Sequence, residues 1–201
     1  MWNVRRKVEF RGARANNHEP MKPTVYLILF CGVGGKTQLP VQALRRKLTA
    51  AGFENVATYI NSGNAIVRSR LNRKQVIATI AELCRKNFDF DKAIFAPTLA
   101  EWNDVIARNP FPKAATNAPS TVHAVLLEST PKAGVIKRIR ALAVKSEDLK
   151  VIEGVAYLRT PYGFGASKMR EKFDQQIGVT YTARNWNTVL KLAELGRAAE
   201  A

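Results

Sequence analysis

The sequence predicts an α+β fold made of two tandem ferredoxin-like subdomains that pack together, with a closing C-terminal helix. The first observation is that strand-like and helix-like hydrophobic periods follow the order βαββαβ, and that this order occurs twice within 201 residues. The second is that the first strand, residues 25–30, is apolar on both faces. A sheet with helices on one side only should show one polar face, so we expect the second half to cover the other.

In the first repeat, Pro40 suits the first turn of a helix, and Asn61-Ser62-Gly63-Asn64 are residues that tolerate positive φ in a tight turn. The loop after the first strand and this turn are expected at the same end of the sheet, because the first two strands run in the same direction. The predicted strands are 25–30, 56–60, 65–68 and 92–95, and the predicted helices are 40–51, 73–87 and, after the repeat, 99–107.

The second repeat follows residues 109–120, whose Pro, Asn and Ala content is typical of a connector. The same geometry is taken to place the loop 160–166 near the start of the last strand, and so at the opposite end from Trp186. The predicted strands are 122–127, 149–152, 155–159 and 180–183, and the predicted helices are 134–144, 167–176 and 186–198.

The expected domains are a first subdomain at residues 21–110 and a second at 111–201, which includes the closing helix. Residues 1–20 are rich in Arg and Asn and lack any hydrophobic period, so we expect a disordered basic extension.

Composition narrows the cellular setting. No apolar run approaches the roughly 18 residues that span a bilayer, and the N-terminus lacks an apolar stretch typical of a secretory signal, so a cytoplasmic protein without membrane contact is expected. Cys31 and Cys84 show no metal-ligand spacing, which favours two free thiols and no metal or cofactor.

The net charge of +16 is spread along the chain, with +3, +7 and +6 in residues 1–20, 21–110 and 111–201. Diffuse positive charge favours an anionic partner, nucleic acid or a small anionic metabolite, although it is also common in small basic proteins.

Two stretches are candidates for a ligand site. Gly34-Gly35-Lys36 lies in a loop that lacks the glycine spacing of a phosphate loop but suits an anion-binding nest of backbone amides. Residues 184–187 admit two interpretations: an Asn caps the last helix while Trp186 anchors it in the core, or the Arg and Asn side chains bind a ligand. The candidate residues are Gly34, Gly35, Lys36, Asn61, Ser62, Asn64, Arg184, Asn185, Trp186 and Asn187.

Conventional catalysis finds little support in the residues. His18 lies in the N-terminal extension, and His123 lies inside an apolar strand, where a structural role is expected. No Ser/His/Asp set, paired carboxylates or metal-ligand cluster is evident as a pattern, so no catalytic residue and no metal ligand is assigned.

Three motifs resemble an uncharacterised bacterial family catalogued as domain of unknown function 1697. They are Val33-Gly34-Gly35 with Pro40 opening the helix, Tyr59 to Asn64 at the hairpin, and Thr182 to Val189. The resemblance covers about residues 21–198 and implies two ferredoxin-like subdomains, but no activity. The chain departs from the family at Leu29-Phe30-Cys31-Gly32, where an Arg and an Asn are usual, so a ligand role tied to that Arg is not carried over.

Three functional classes follow from these features. The first is a non-catalytic binding module for an anionic ligand, nucleic acid or a phosphorylated metabolite. The alternatives are an enzyme of unrecognised mechanism with a cleft between the two subdomains, and a self-associating or adaptor protein. The sequence leaves open whether residues 34–35 and 184–188 converge in space.

Overall fold

The computed structural model describes residues 22–33, 39–60 and 63–201. Within these residues the chain forms eight strands, seven α-helices and one short 3-10 helix. In chain order the elements are β1 (Thr24–Phe30), α1 (Val41–Ala50), β2 (Glu54–Thr58), β3 (Asn64–Ser69), α2 (Arg73–Phe88), β4 (Ile94–Phe95), α3 (Leu99–Ala107), α4 (Pro112–Asn117), the 3-10 helix (Pro119–Thr121), β5 (Val122–Leu127), α5 (Val135–Arg140), β6 (Asp148–Ile152), β7 (Val155–Arg159), α6 (Lys168–Gln176), β8 (Tyr181–Asn185) and α7 (Trp186–Glu200).

The strands form two four-stranded antiparallel sheets with the same internal order. The first sheet runs β2-β3-β1-β4 and the second β6-β7-β5-β8, so each sheet has the first strand of its half at an inner position and the last strand at an edge. The fold class is therefore α+β with a C-terminal helix, as predicted.

Local capping signals account for several helix boundaries. α2 and α3 each begin with a capping box, in which Asn72 and Gln75, and Thr98 and Glu101, exchange side-chain and backbone hydrogen bonds. The predicted connector contains the short helix α4, which begins at Pro112. A proline is tolerated there because the first helical N–H has no intrahelical acceptor.

An apolar layer between the two sheets joins the halves. One face of β1, with Tyr26, Ile28 and Phe30, packs against α1 and α2. The other face packs against α3, α7 and the inner face of the second sheet. This shared core confirms that the second half covers the apolar face of β1 that α1 and α2 leave open. Its fully or nearly buried members include Val25, Leu27, Leu29, Trp102, Ala124, Tyr157, Trp186, Val189 and Leu192.

In the first half, the described residues of the two loops lie together, as predicted. The backbone N–H of Phe30 donates to the carbonyl of Gly63 at 3.0 Å, so the end of β1 meets the hairpin between β2 and β3. Gly63 has a φ of +74°, and a Cβ there would lie 2.6 Å from a methyl group of Val33. Only glycine fits this close approach without strain.

The corresponding prediction for the second half is wrong. His123 pairs with Asn185, and Val122 pairs with Arg159, so β7 and β8 both finish beside the start of β5, at the same end of the sheet. Both strands are antiparallel to β5 and therefore run in the same direction. The loop 160–166 and Trp186 consequently emerge at the same end.

No helix in the described ranges is long and apolar enough to cross a membrane.

Tyr157 tests how strongly the second sheet is tied to α3. Its hydroxyl is buried and donates to the carbonyl of Val105 at 2.8 Å. Tyr157→Phe should lower the free energy of unfolding by about 1–2 kcal/mol, because the buried carbonyl loses this partner. Tyr162→Phe, at a ring that is 69% exposed, is the matched control and should change it by less than about 0.5 kcal/mol in urea denaturation. Equal effects of the two substitutions would contradict this assignment.

Candidate ligand site between the two sheets

Arg184 lies at the junction of the two halves and is 8% exposed. It projects from β8 into the space between the sheets. All three guanidinium nitrogens, Nε, Nη1 and Nη2, donate hydrogen bonds. The acceptors are the side-chain oxygen of Asn64 for Nε (2.5 Å), the Thr182 hydroxyl (2.8 Å) and the Ala183 carbonyl (2.7 Å) for Nη1, and the carbonyls of Phe30 (3.2 Å) and Gly63 (3.0 Å) for Nη2.

These contacts account for all five N–H donors of the Arg184 guanidinium, and every acceptor is neutral. Among the described residues, no carboxylate forms an ion pair with Arg184. Burial lowers the pKa of Arg184 to about 10. The side chain is therefore protonated at neutral pH, and its positive charge is not cancelled by a direct partner.

A cleft of about 550 Å³ opens beside Arg184. Its walls come from the end of β1 and the loop after it, the hairpin between β2 and β3, β5, β8, the first turn of α7 and the loop 160–166. None of the described residues that line it is acidic. The lining residues are Phe30, Gly32, Val33, Ile60, His123, Phe164, Tyr181, Thr182, Ala183, Arg184, Asn185 and Thr188.

The structure places the predicted site residues in several different environments. Asn64 and Arg184 are joined directly. Asn185 lines the cleft and caps α7 by accepting from the backbone N–H of Thr188 at 3.0 Å. Trp186 is buried in the shared core, and Asn187 faces a different groove, between α3 and α7. Gly34, Gly35, Lys36, Asn61 and Ser62 lie outside the described residues.

The helix-cap interpretation of residues 184–187 therefore describes Asn185 and Trp186 well. Arg184 differs from the anion fork that the ligand interpretation requires, because its donors already bind protein oxygens. It can act on a ligand in the cleft through its charge, whereas a direct fork would need free N–H groups.

His123 was interpreted from the sequence as structural, and the structure adds a second feature. Its ring stacks on Phe164 with centroids 3.9 Å apart and an interplanar angle of 23°. The residue is 7% exposed, yet its Nδ1 atom has no hydrogen-bond partner among the described residues. Burial, with a smaller contribution from the positive charge of Arg170, lowers the pKa of His123 to about 4. A lone polar residue in an apolar strand was the only sequence signal for this position.

Cys31 lies next to this cleft, with its Sγ 3.4 Å from the carbonyl of Tyr181. Burial raises the pKa of the Cys31 thiol, so it is not a ready nucleophile at neutral pH. Both cysteines are free, as predicted, and the described part of the chain contains no cluster of three or more His, Cys, Asp or Glu residues that could hold a metal.

A second cleft between the halves, of about 600 Å³, has the opposite electrostatic character. Four carboxylates and two arginines line it, and the arginines form ion pairs with Glu101 and Glu153. An anion would meet an excess of negative charge there. The cleft beside Arg184 is therefore the better candidate for an anionic ligand.

Comparison with known proteins places the chain in a family. Residues 21–157 match the model of a family described as "Protein of unknown function (DUF1697)", which is more than half of the chain. The chain belongs to this family. The match confirms the resemblance seen in the sequence, although the DUF1697 model ends inside β7 and the motif from Thr182 to Val189 lies beyond it.

A solved structure shares the fold of this DUF1697 member. It is that of the conserved bacterial protein SP0830 from Streptococcus pneumoniae, with a TM-score of 0.67 and 21% sequence identity over 87% of this chain and 99% of that one. None of the curated proteins matches the chain.

Removal of the guanidinium should destabilise this DUF1697 member strongly. Arg184→Ala leaves buried acceptors of both halves without a donor and opens a cavity, so we expect the free energy of unfolding to fall by about 3–5 kcal/mol. Arg46→Ala, at an exposed position of α1, removes the same charge and should cost less than about 0.5 kcal/mol. Chemical denaturation of both variants provides the comparison, and a loss below about 1 kcal/mol for Arg184→Ala would refute the structural role.

The depressed pKa of His123 predicts a specific pH dependence of stability. The unfolded imidazole binds a proton below about pH 6.5, whereas the folded one does so only near pH 4. The unfolded state therefore binds more protons in this window, and stability falls as the pH falls through it. Between pH 7 and pH 5 the loss from this group should be about 2 kcal/mol.

His123→Gln removes the titrating ring and serves as the test. The difference in unfolding free energy between pH 7 and pH 5 should be about 2 kcal/mol smaller in the variant than in the parent protein, since the other groups titrate in both. Identical differences in the two proteins would show that His123 is not held neutral by burial.

Proposed function

We propose that this protein is a non-catalytic binding module for a small anionic ligand, which occupies the cleft beside Arg184. One observation carries the proposal: a buried, protonated guanidinium has only neutral partners and lies against a cleft that no described carboxylate lines. A positive charge in this position attracts an anion more strongly than the same charge at the surface, because little water screens it.

The electrostatic gain is large enough to matter for affinity. A unit negative charge about 6 Å from the guanidinium would gain about 3 kcal/mol at an effective dielectric constant near 20, which corresponds to roughly a hundredfold in affinity. Lys92 adds a second positive charge near the rim, where its Nζ donates to the carbonyl of Gly32 at 3.2 Å. The hydroxyls of Thr182 and Thr188 supply polar groups along the same wall.

The size of the cleft favours a small molecule over a long polymer. Its volume of about 550 Å³ falls within the range of roughly 300–1,000 Å³ that is typical of small-ligand sites. A phosphorylated metabolite therefore fits this cleft better than duplex nucleic acid, which would use a broad basic surface.

The proposed architecture has two ferredoxin-like subdomains, at residues 21–110 and 111–201, after a basic extension at residues 1–20. The identical strand order of the two sheets supports the subdomain assignment. Ligand sites commonly lie between such packed units, which is where the cleft beside Arg184 lies.

The proposal predicts salt-sensitive binding of small phosphates that depends on the rim charge of the cleft. Calorimetric titration with inorganic pyrophosphate, ribose 5-phosphate and nucleotides at 50 mM salt should give a dissociation constant that Lys92→Gln raises about tenfold. Lys47→Gln makes the same change in net charge at an exposed residue in the last turn of α1. This helix leads into the start of β2, which lies at the end of the strand opposite to the hairpin. Lys47→Gln should raise the constant less than twofold.

Equal weakening by the two substitutions would indicate diffuse attraction to the whole basic surface and would refute a ligand site in the cleft. Absence of binding for every phosphate compound at 50 mM salt would refute the function itself. Chemical conversion of a bound compound in the same samples would instead support the enzyme alternative.

A further inference from the structure

Three buried side-chain atoms lack a hydrogen-bond partner among the described residues: Nδ1 of His123, Nε of Arg159 and Nε of Arg170. Arg159 pairs with Val122 and projects from the opposite face of the second sheet to His123, so it lies apart from the other two. His123 lies at the end of the second sheet from which the loop 160–166 emerges, and Arg170 lies in the first turn of α6, which follows that loop. Buried polar atoms are rarely left unpaired, so the two unpaired atoms beside this loop call for a missing partner.

The side chain of Phe164 contacts both His123 and Arg170. Its ring stacks on His123, and the guanidinium carbon of Arg170 lies 4.9 Å from its centroid. The benzyl ring is therefore in contact with an imidazole and a guanidinium, two flat groups that also stack on aromatic heterocycles. Because a phenyl ring has no polar atom, it cannot satisfy Nδ1 of His123 or Nε of Arg170.

The backbone around Phe164 is suited to movement. Gly163 has a φ of +105°, and a Cβ built on Gly163 or Gly165 would meet no atom within 4 Å. The neighbouring Tyr162 is 69% exposed. Phe164 packs at the edge of the outer core of the second half and is flanked by two glycines with open space around them, so no atom beside those glycines opposes an outward rotation of this segment.

We propose that Phe164 occupies the place of a ligand ring, and that a nucleoside 5′-phosphate displaces it and stacks its base on His123. In this arrangement the base takes over the contacts that Phe164 makes with the faces of the His123 ring and the Arg170 guanidinium, whose Nη2 stays paired with Asp174. A ribose hydroxyl beside the stacked base hydrogen-bonds to Nδ1 of His123 in the plane of that ring. The phosphate lies in the same cleft, toward Arg184 and Lys92. The inference rests on the proposed function, because it identifies the class of anion that the cleft would bind.

The test compares ligands that carry the phosphate, the base or both. The full chain is titrated by calorimetry with the four common nucleoside 5′-monophosphates, with ribose 5-phosphate and with adenosine. At least one nucleotide should bind ten times more tightly than ribose 5-phosphate. If no nucleotide binds more than three times as tightly as ribose 5-phosphate, the base-binding slot, meaning the place of the Phe164 ring against His123 and Arg170, is overturned.

Substitution of Phe164 provides the second measurement. Phe164→Ala removes the competing ring and should tighten nucleotide binding about fivefold, while changing ribose 5-phosphate binding less than twofold. Tyr162→Ala is the matched control, because it removes from the same loop an aromatic ring that is not stacked on His123. It should leave both affinities unchanged. Equal effects of the two variants would overturn the role of Phe164.

Phe164→Trp keeps an aromatic ring in the slot and provides a reporter if the alanine variant folds poorly. The nucleotide should shift the added indole emission to longer wavelength as the ring moves into water, whereas ribose 5-phosphate should not. An unchanged emission spectrum with bound nucleotide would show that the ring stays in place and would overturn the proposal.

The outcomes separate this inference from the proposed function. Binding of ribose 5-phosphate with no contribution from any base overturns the slot and leaves the anion site. Binding of adenosine to Phe164→Ala without binding of any phosphate compound refutes the anion function and overturns the nucleoside 5′-phosphate as the ligand, even though a base then occupies the place of Phe164. A short oligonucleotide with a 5′-phosphate that binds as tightly as the free nucleotide identifies a strand end as the source of the ligand, and one that binds a hundredfold more weakly identifies the free nucleotide.

Discussion

The guanidinium of Arg184 determines how the two sheets meet. Burial of an unpaired charge costs several kcal/mol, and this cost is offset only when the surrounding dipoles hydrogen-bond the charged group completely. The acceptors come from the end of β1, the hairpin before β3 and β8 itself. Three backbone segments from both halves are therefore fixed around one planar group, and displacement of any of them would leave a buried donor and a buried acceptor unpaired.

The turn from β8 into α7, which follows Arg184, also helps to build the apolar core between the sheets. Asn185 follows Arg184 directly and caps α7, whose residues Val189 and Leu192 are fully buried against both halves. A further bond from the indole N–H of Trp102 to the carbonyl of Val189, 2.9 Å long, ties α3 to this helix. The polar anchor at the junction and the helix that fills the core are thus consecutive in sequence, so a rearrangement at the cleft would propagate into the core.

Local patterns sufficed for most elements, whereas contacts between distant segments were out of reach. The bounds of β5 and α3 were predicted from hydrophobic periodicity because that period depends on neighbouring residues alone. β2 begins two residues earlier than predicted, where its pairing with β3 shifts between Glu54 and Ala57. The bond between Asn64 and Arg184 joins residues 120 positions apart, and no local pattern encodes it. Likewise, the orphaned nitrogen of His123 depends on what surrounds the ring, which the sequence does not show.

The titratable groups around the cleft share a property that constrains how it can recognise a ligand. Burial lowers the pKa of His123 to about 4 and that of Arg184 to about 10, and it raises the pKa values of Cys31 and Tyr181 above their ordinary ranges. Each of these groups consequently keeps one protonation state between about pH 5 and pH 8. The positive field from Arg184 is constant over this range, and His123 remains a neutral hydrogen-bonding group. A phosphate ester changes charge near pH 6, within this window. The contribution of these four groups to binding is therefore set by the ionisation of the ligand, since their own charges do not change.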